Sequence, residues 1–234
     1  MVGVAAETTE TSPLFEADDA VGYDKWFDTR WGSFAFGIER RALDKTTSSI
    51  EATRVLDVGC GTGRFTEHLA ARFGVVIGLD LAQEMLVIAA RRVHGAFVRG
   101  NAVALPFGDG QFDMAVAITL CEFTSQPAAV VSELVRVVRP GGRVVVGSLN
   151  PTSLWGVTHR RRLHEEPWRA ARFLARRQLL EIGAPHGQTE FHASLFAGSP
   201  ISVPWVARAL ESIGARNAPA FGAFQVLVIE KAAT

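Results

Sequence analysis

The stretch Val55-Leu56-Asp57-Val58-Gly59-Cys60-Gly61-Thr62-Gly63-Arg64-Phe65 decides the fold. Its first four residues read as a buried strand, three glycines then punctuate a tight turn, and Arg64 opens a helical pattern. Strand, glycine turn and helix make a ligand cradle. Glycine permits positive φ and close backbone approach, and the N–H groups that open the helix point at whatever is bound.

Outward from this stretch, strand and helix signals alternate. Strands are expected over RVLDVG, VVIGLD, AFVRG, FDMAVAIT, RVVVGSL and FQVLVIEK, with TEFHASLF as a further alternating segment. Helices are expected over about 64–73, AQEMLVIAARRV, AAVVSELVRVV (closed by Arg139-Pro140-Gly141-Gly142), ARRQLLEIG and PWVARALESIG. This order predicts an α/β fold: a Rossmann-like, mostly parallel sheet of about seven strands with helices on both faces. Residues 1–20 read as a flexible tail, 21–50 as an N-terminal helical cap and 51–150 as the cofactor-binding core. Residues 151–205 read as a substrate lid inserted after the fifth strand, and 206–234 as the final helix and strand.

Composition narrows the function classes. The 234 residues carry 24 Lys plus Arg against 24 Asp plus Glu, so no global field draws the chain to nucleic acid or acidic membranes. Two cysteines, Cys60 and Cys121, are too few for a disulfide framework and suit a reducing compartment, the cytoplasm. No apolar run reaches the roughly 20 residues of a membrane span. The six histidines show no zinc spacing, and no metal site is expected.

In an open sheet of this type the ligand lies beyond the carboxyl ends of the strands, which gathers Gly59, Asp80, Asn101 and Thr119 at one edge. A dinucleotide turn would place its third glycine where this chain has Arg64, which weighs against a nucleotide-dependent oxidoreductase. Asp57 ahead of the turn suits a cationic ligand. Asp80, about 20 residues on, stands where a carboxylate accepts two ribose hydroxyls. A nucleoside carrying positive charge fits these places.

The segments VLDVGCGTGRF, GLDLAQEML, GNAVALPFGDGQFD and ELVRVVRPGGRVVVGSLNP, in this order, resemble class I S-adenosylmethionine-dependent methyltransferases with a methyltransferase type 11 domain. The likeness is greatest to the small-molecule group that includes the ubiquinone and menaquinone biosynthesis C-methyltransferases, and it runs from about Tyr23 to Leu154 and again over the last strand. The resemblance implies S-adenosyl-L-methionine as cofactor and S-adenosyl-L-homocysteine as product. It implies that Gly59, Cys60, Gly61, Thr62 and Gly63 form the loop under the methionine, with Asp57 toward its amino end. Asp80 would hold the ribose, Leu81 and Met85 would pack on the adenine, Asn101 and Ala102 would meet its edge, and Ile118 and Thr119 would line the methionine. Tyr23 matches a tyrosine that opens the family's cap and would close over the cofactor.

Two positions depart from the family pattern: Asn101 replaces the usual Asp, and Cys121-Glu122-Phe123 stands where many relatives read Leu-Glu-His. A histidine base is therefore absent there, and Glu122, His159 and His192 are the remaining catalytic candidates. The expected acceptor is a small molecule with apolar area, facing Trp26, Phe27, Trp31, Phe34, Trp155, Trp168 and Phe196. The Arg-rich stretch from Arg160 to Arg177 reads as a solvated helix face or as a pocket for an acidic group on the acceptor. No stacking platform marks a nucleic-acid partner. A monomer or homodimer is expected, and a non-catalytic cofactor-binding regulator or scaffold is the alternative to an enzyme.

Overall fold

The computed structural model describes residues 17–158, 171–196 and 204–233. Seven strands form one sheet: β1 (Arg54–Val58), β2 (Val75–Asp80), β3 (Ala96–Arg99), β4 (Phe112–Ile118), β5 (Val138–Leu149), β6 (Gly187–Ser194) and β7 (Phe224–Lys231). Their order is β3-β2-β1-β4-β5-β7-β6. The first five run parallel, and β7 inserts antiparallel between β5 and β6. The strand order reverses between β1 and β4, which opens a crevice beyond their carboxyl ends.

Alternation of side chains along the central strands builds a core on each face. Leu56, Val58, Ala115 and Ala117 point into one cluster, while Val55, Met114, Val116 and Ile118 point into the other. The first core is covered by α5 (Pro127–Val137) and α7 (Arg176–Gly183), through Val130, Leu134 and Leu179. The second is covered by α2 (Arg30–Thr47) and α3 (Arg64–Ala70), through Ala35, Ile38, Leu43 and Leu69. Strands buried on both sides have no polar face, which is why they read as near-continuous apolar runs. Helix α4 (Gln83–Arg92) follows β2, short α6 (Leu154–Thr158) follows β5, and α8 (Pro204–Asn217) precedes β7.

Helix α1 (Ala17–Trp26) and α2 form the cap. Thr29 caps α2, its hydroxyl accepting from Gly32 N–H at 3.0 Å. Helix α1 begins at Ala17, inside the segment expected to be a tail, because Ala20 buries against Ala82 and Met85 of the α4 region. Strand β5 starts at Val138 and runs through the Arg-Pro-Gly-Gly expected to separate helix from strand. Its pairing with β4 shifts register between Phe112 and Met114, and a Cβ on Gly142 would lie 2.6 Å from the Asp113 carbonyl oxygen. The glycine lets a bulged strand pass where a bulkier residue would stop it. Within 151–205, α7 and β6 belong to the sheet layers.

Candidate functional site

The glycine turn is tied to the end of β2. Gly59 and Cys60 N–H donate to the Leu79 carbonyl at 2.7 and 3.0 Å, and Gly61 N–H donates to Asp80 Oδ2 at 2.8 Å. Ala82 N–H donates to Asp80 Oδ1 at 2.9 Å. Each Asp80 oxygen thus takes one backbone donor and keeps lone-pair capacity for another. Gly61 and Gly63 adopt φ of +52° and +81°. At Gly61 a Cβ would meet only the Tyr23 ring, at 3.8 Å, so the loop backbone is open toward Tyr23.

Asp57 is buried, and Thr66 Oγ1 donates to its Oδ2 at 2.6 Å. Burial pushes Asp57 up to about 7, the Thr66 hydrogen bond opposing and the Asp80 charge adding to the shift. Burial also raises Asp80, against the N–H groups of Ala82, Gly61 and Leu81. Thr62 is buried with its hydroxyl turned to Asp24, and Cys60 is buried with its thiol pushed up chiefly by burial. Leu81 accepts from Arg99 Nε at 3.1 Å, while Met85 packs with Ala20, Ala82 and Tyr23 beneath α1. Asn101 Oδ1 accepts from Val103 N–H at 3.1 Å, closing a turn beside partly buried Ala102.

At the end of β4, Ile118 is buried and Thr119 adopts φ +50°, an uncommon conformation for a β-branched residue. The β4–β5 ladder holds it there through Thr119 N–H to the Gly147 carbonyl at 2.8 Å. Its hydroxyl hydrogen-bonds Tyr23, whose phenol is pushed up by burial and by the charges of Glu39, Asp80 and Glu122.

Beyond Tyr23 and Thr119 lies a small cavity, partly open to solvent. Trp26, Phe27, Trp31, Phe65 and Trp155 give it an aromatic wall, and Ala35, Leu149 and Leu195 close it. Of the aromatics expected to face an acceptor, Phe34 packs instead into the sheet-face cluster and Phe196 sits against Gly214. Trp168 lies outside the described residues, as do His159 and the stretch 160–170.

One carboxylate in the wall, Glu39 of α2, went unnoticed in the sequence. It is only 6% exposed and is pushed up to about 7, first by burial and then by the Glu122 charge. Glu122 is 1% exposed, and Leu149 N–H donates to its Oε1 at 2.5 Å. Its Oε2 has no partner of full hydrogen-bond geometry, the Ser148 hydroxyl standing beside it. Burial pushes Glu122 up to about 7 as well, with the Leu149 N–H opposing. Among the described residues no cation stands within ion-pair distance of Glu39, Asp57, Asp80 or Glu122. His192 is elsewhere, on edge strand β6 opposite Val226 with Nε2 3.6 Å from Glu190.

The outer side of α1 contrasts with this. Asp24 Oδ1 receives Thr62 Oγ1 at 2.8 Å, Arg64 Nε at 2.9 Å and Arg92 Nη2 at 2.7 Å. Burial disfavours its charge, but the hydrogen bonds from Arg64 and Thr62 and the Arg92 charge hold its carboxyl below the ordinary range. This clamp ties the helix bearing Tyr23 to the glycine turn and to α4. These residues are 38 to 68 positions apart, and no local pattern announces the pairing.

The residues fit an adenosyl sulfonium donor: an open glycine backbone, a carboxylate with spare acceptor capacity, and acids without described counter-cations for a positive ligand. No group of three potential metal ligands occurs among the described residues. No helix among them is long and apolar enough to cross a membrane.

Residues 56–146 match the family model "Methyltransferase domain". An uncharacterized protein of Methanocaldococcus jannaschii is 32% identical over 162 residues, covering 68% of this chain and 74% of that protein. The malonyl-[acyl-carrier protein] O-methyltransferase of Erwinia billingiae is 34% identical over 169 residues, covering 71% of this chain and 66% of the relative. This chain thus spans about two thirds to three quarters of the length of these relatives. The crystal structure of a SAM-dependent methyltransferase of Thermotoga maritima, "possible histamine N-methyltransferase", superposes with a TM-score of 0.74 at 24% identity over 92% of this chain and 97% of that one. At that identity the likeness shows the fold. Sequence relatives, strand order and site chemistry converge: the chain belongs to the class I S-adenosylmethionine-dependent methyltransferases, with S-adenosylmethionine as its methyl donor.

Proposed function

We propose that the protein methylates a small-molecule acceptor with substantial apolar surface, held in the aromatic cavity beside Tyr23 and Thr119. The observation that carries this reading is the continuity of two places. Tyr23 hydrogen-bonds Thr119 at the end of β4, faces the open side of Gly61, and also lines the cavity. In this reading Asp80 accepts the ribose hydroxyls, Asn101 and Ala102 meet the adenine edge, and Leu81 and Met85 pack on its face. The glycine loop from Gly59 to Gly63, Asp57, Ile118 and Thr119 surround the methionine portion, and Tyr23 closes over it. The two free, buried cysteines accord with work in the cytoplasm.

The cofactor supplies a methyl group already activated by positive sulfur. The chain's contribution is alignment and exclusion of water. Holding two reactants in register removes about 7–11 kcal/mol of barrier, whereas a general base adds about 10²–10⁴-fold. The absence of a histidine after β4 therefore leaves the larger contribution intact. Trp26, Phe27, Trp31 and Trp155 would bury the acceptor's apolar body, and Tyr23 would set its approach to the reacting methyl.

The test is methyl transfer from labelled S-adenosylmethionine into a small-molecule extract, with the labelled product identified by mass spectrometry. A labelled small molecule with an apolar body supports the reading. Label confined to protein or nucleic acid, or tight cofactor binding with no transfer, overturns it.

A further inference from the structure

Two buried carboxylates remain that cofactor binding does not account for, Glu39 and Glu122. Glu39 points into the cavity from α2 among Trp26, Phe27, Trp31, Phe65 and Trp155. It comes from the helix face that otherwise presents Ala35, Ile38 and Leu43. Glu122 lies near enough to perturb it, with Oε2 buried and unpartnered by full hydrogen-bond geometry. Burying a carboxylate without a counter-charge is costly, and removal of one partner from a buried pair typically leaves such a cost. The same molecule pairs Asp24 with both Arg64 and Arg92, whereas no described cation pairs with Glu39 or Glu122.

Aromatic faces and carboxylates both attract one kind of ligand head, an organic cation. The electrostatic neighbourhoods also separate. The Asp80 charge raises Asp57 at the glycine turn, and the Glu122 charge raises Glu39 in the cavity wall. Tyr23 stands between, feeling Glu39, Asp80 and Glu122. The second pair therefore belongs to the acceptor side.

We propose that the acceptor is an amine on an apolar body, its ammonium form held in the aromatic wall by Glu39 with Glu122 behind it. This rests on the methyltransferase reading of the cavity and names its substrate class. In the reaction the ammonium first gives a proton to the Glu39 carboxylate. The freed nitrogen lone pair then forms the C–N bond as the C–S bond breaks and its electron pair stays on sulfur. The positive charge passes from sulfur to nitrogen, and the N-methylated ammonium leaves beside the acids. An acceptor bearing its own carboxylate would meet like charge in this wall.

The test uses the full chain saturated with S-adenosylhomocysteine and reads intrinsic fluorescence, since Trp26, Trp31 and Trp155 line the cavity. The probes are 2-phenylethylamine, 3-phenylpropionate and 3-phenylpropan-1-ol, with calorimetry as a second readout. The amine is expected to bind at least 10-fold tighter than either control. Glu39→Gln should erase that preference while leaving S-adenosylhomocysteine affinity within twofold, and Glu39→Asp should keep part of it. Equal binding of the three probes overturns the proposal, as does a preference that survives Glu39→Gln. A Glu39→Gln variant that loses S-adenosylhomocysteine instead places Glu39 in the cofactor site and also overturns it. Should the wild-type chain fail to bind S-adenosylhomocysteine, the cofactor reading itself falls. Circular dichroism of the variants confirms folding.

Discussion

Replacing Asp80 separates a brace from a ligand. In the structure its two oxygens take one backbone N–H each, from Gly61 at 2.8 Å and Ala82 at 2.9 Å. Asp80→Asn turns one oxygen into a donor facing a donor, so one N–H loses its partner at a cost of about 1–3 kcal/mol in stability. Cofactor binding loses the charge behind the ribose hydrogen bonds, each such bond being worth about 1.5–3 kcal/mol. At about 1.4 kcal/mol per tenfold, Asp80→Asn should weaken S-adenosylhomocysteine roughly 10- to 100-fold, and Asp80→Ala, which removes both acceptors, more than 100-fold. Titration calorimetry gives the affinities, and urea unfolding of the apo protein gives the stability. Loss of stability with affinity unchanged within twofold would refute the ribose assignment and leave Asp80 as a brace of the glycine turn alone.

Four further outcomes follow from the structure. Asp24→Ala strips Arg64 and Arg92 of their shared carboxylate and should cost about 2 kcal/mol, with faster amide exchange across α1 and weaker S-adenosylhomocysteine binding, because Tyr23 rides on that helix. Gly63→Ala brings a methyl 2.9 Å from the Ala89 Cβ at φ +81° and should lower the thermal midpoint. Gly61→Ala meets nothing nearer than Tyr23 at 3.8 Å and should show mainly in cofactor affinity, beyond an αL penalty of about 1–2 kcal/mol. Asp57, Glu39 and Glu122 are raised to about 7 in the folded chain, so between about pH 4 and 7 it holds more protons than the unfolded chain. Their contribution to stability is full below the ordinary carboxylate range and is lost as pH rises toward 7. The urea midpoint of the apo protein should fall from pH 5 to 8, and Asp57→Asn should flatten that fall. A midpoint that climbs across this range would contradict it.

The sheet and the glycine turn were legible because their causes are local. A strand buried on both faces is mostly apolar, and the buried positions of β1, β4 and β7 are apolar save Asp57 and Gln225. The turn needs positive φ, and glycines stand at 59, 61 and 63. The start of α1 was less legible: its buried side is small, resting on Ala20 against Met85. The strand through Pro140-Gly141-Gly142 was hidden because those residues ordinarily end elements, and only the facing Asp113 carbonyl shows why a glycine is needed there. The Asp24 clamp joins residues that only the fold brings together. Glu39 did leave a trace, since it falls four residues after Ala35 and four before Leu43 on the face that α2 buries. An acid in such a stripe marks either a paired charge or a site, and the choice needs the third dimension.

The arrangement of charge bears on the chemistry as well as on binding. In the proposed pose and reaction, positive charge would start on the sulfonium near Asp57 and Asp80 and end on the acceptor nitrogen near Glu39 and Glu122. A field that held sulfur's charge alone would stabilise the ground state and slow transfer. In that reaction the Glu122 carboxylate would act on the charge that develops at nitrogen, and being fixed by burial and by the Leu149 N–H, it needs no reorientation as that charge appears. Thr119 sits at the crossing point in a left-handed conformation that costs about 1–2 kcal/mol, held by its hydrogen bond to Gly147. The strain places its hydroxyl on Tyr23, between the two acidic pairs. In the proposed reaction the charge would pass the tyrosine that Glu39, Asp80 and Glu122 all perturb, so the arrangement would favour its movement across the cavity over its retention at either end.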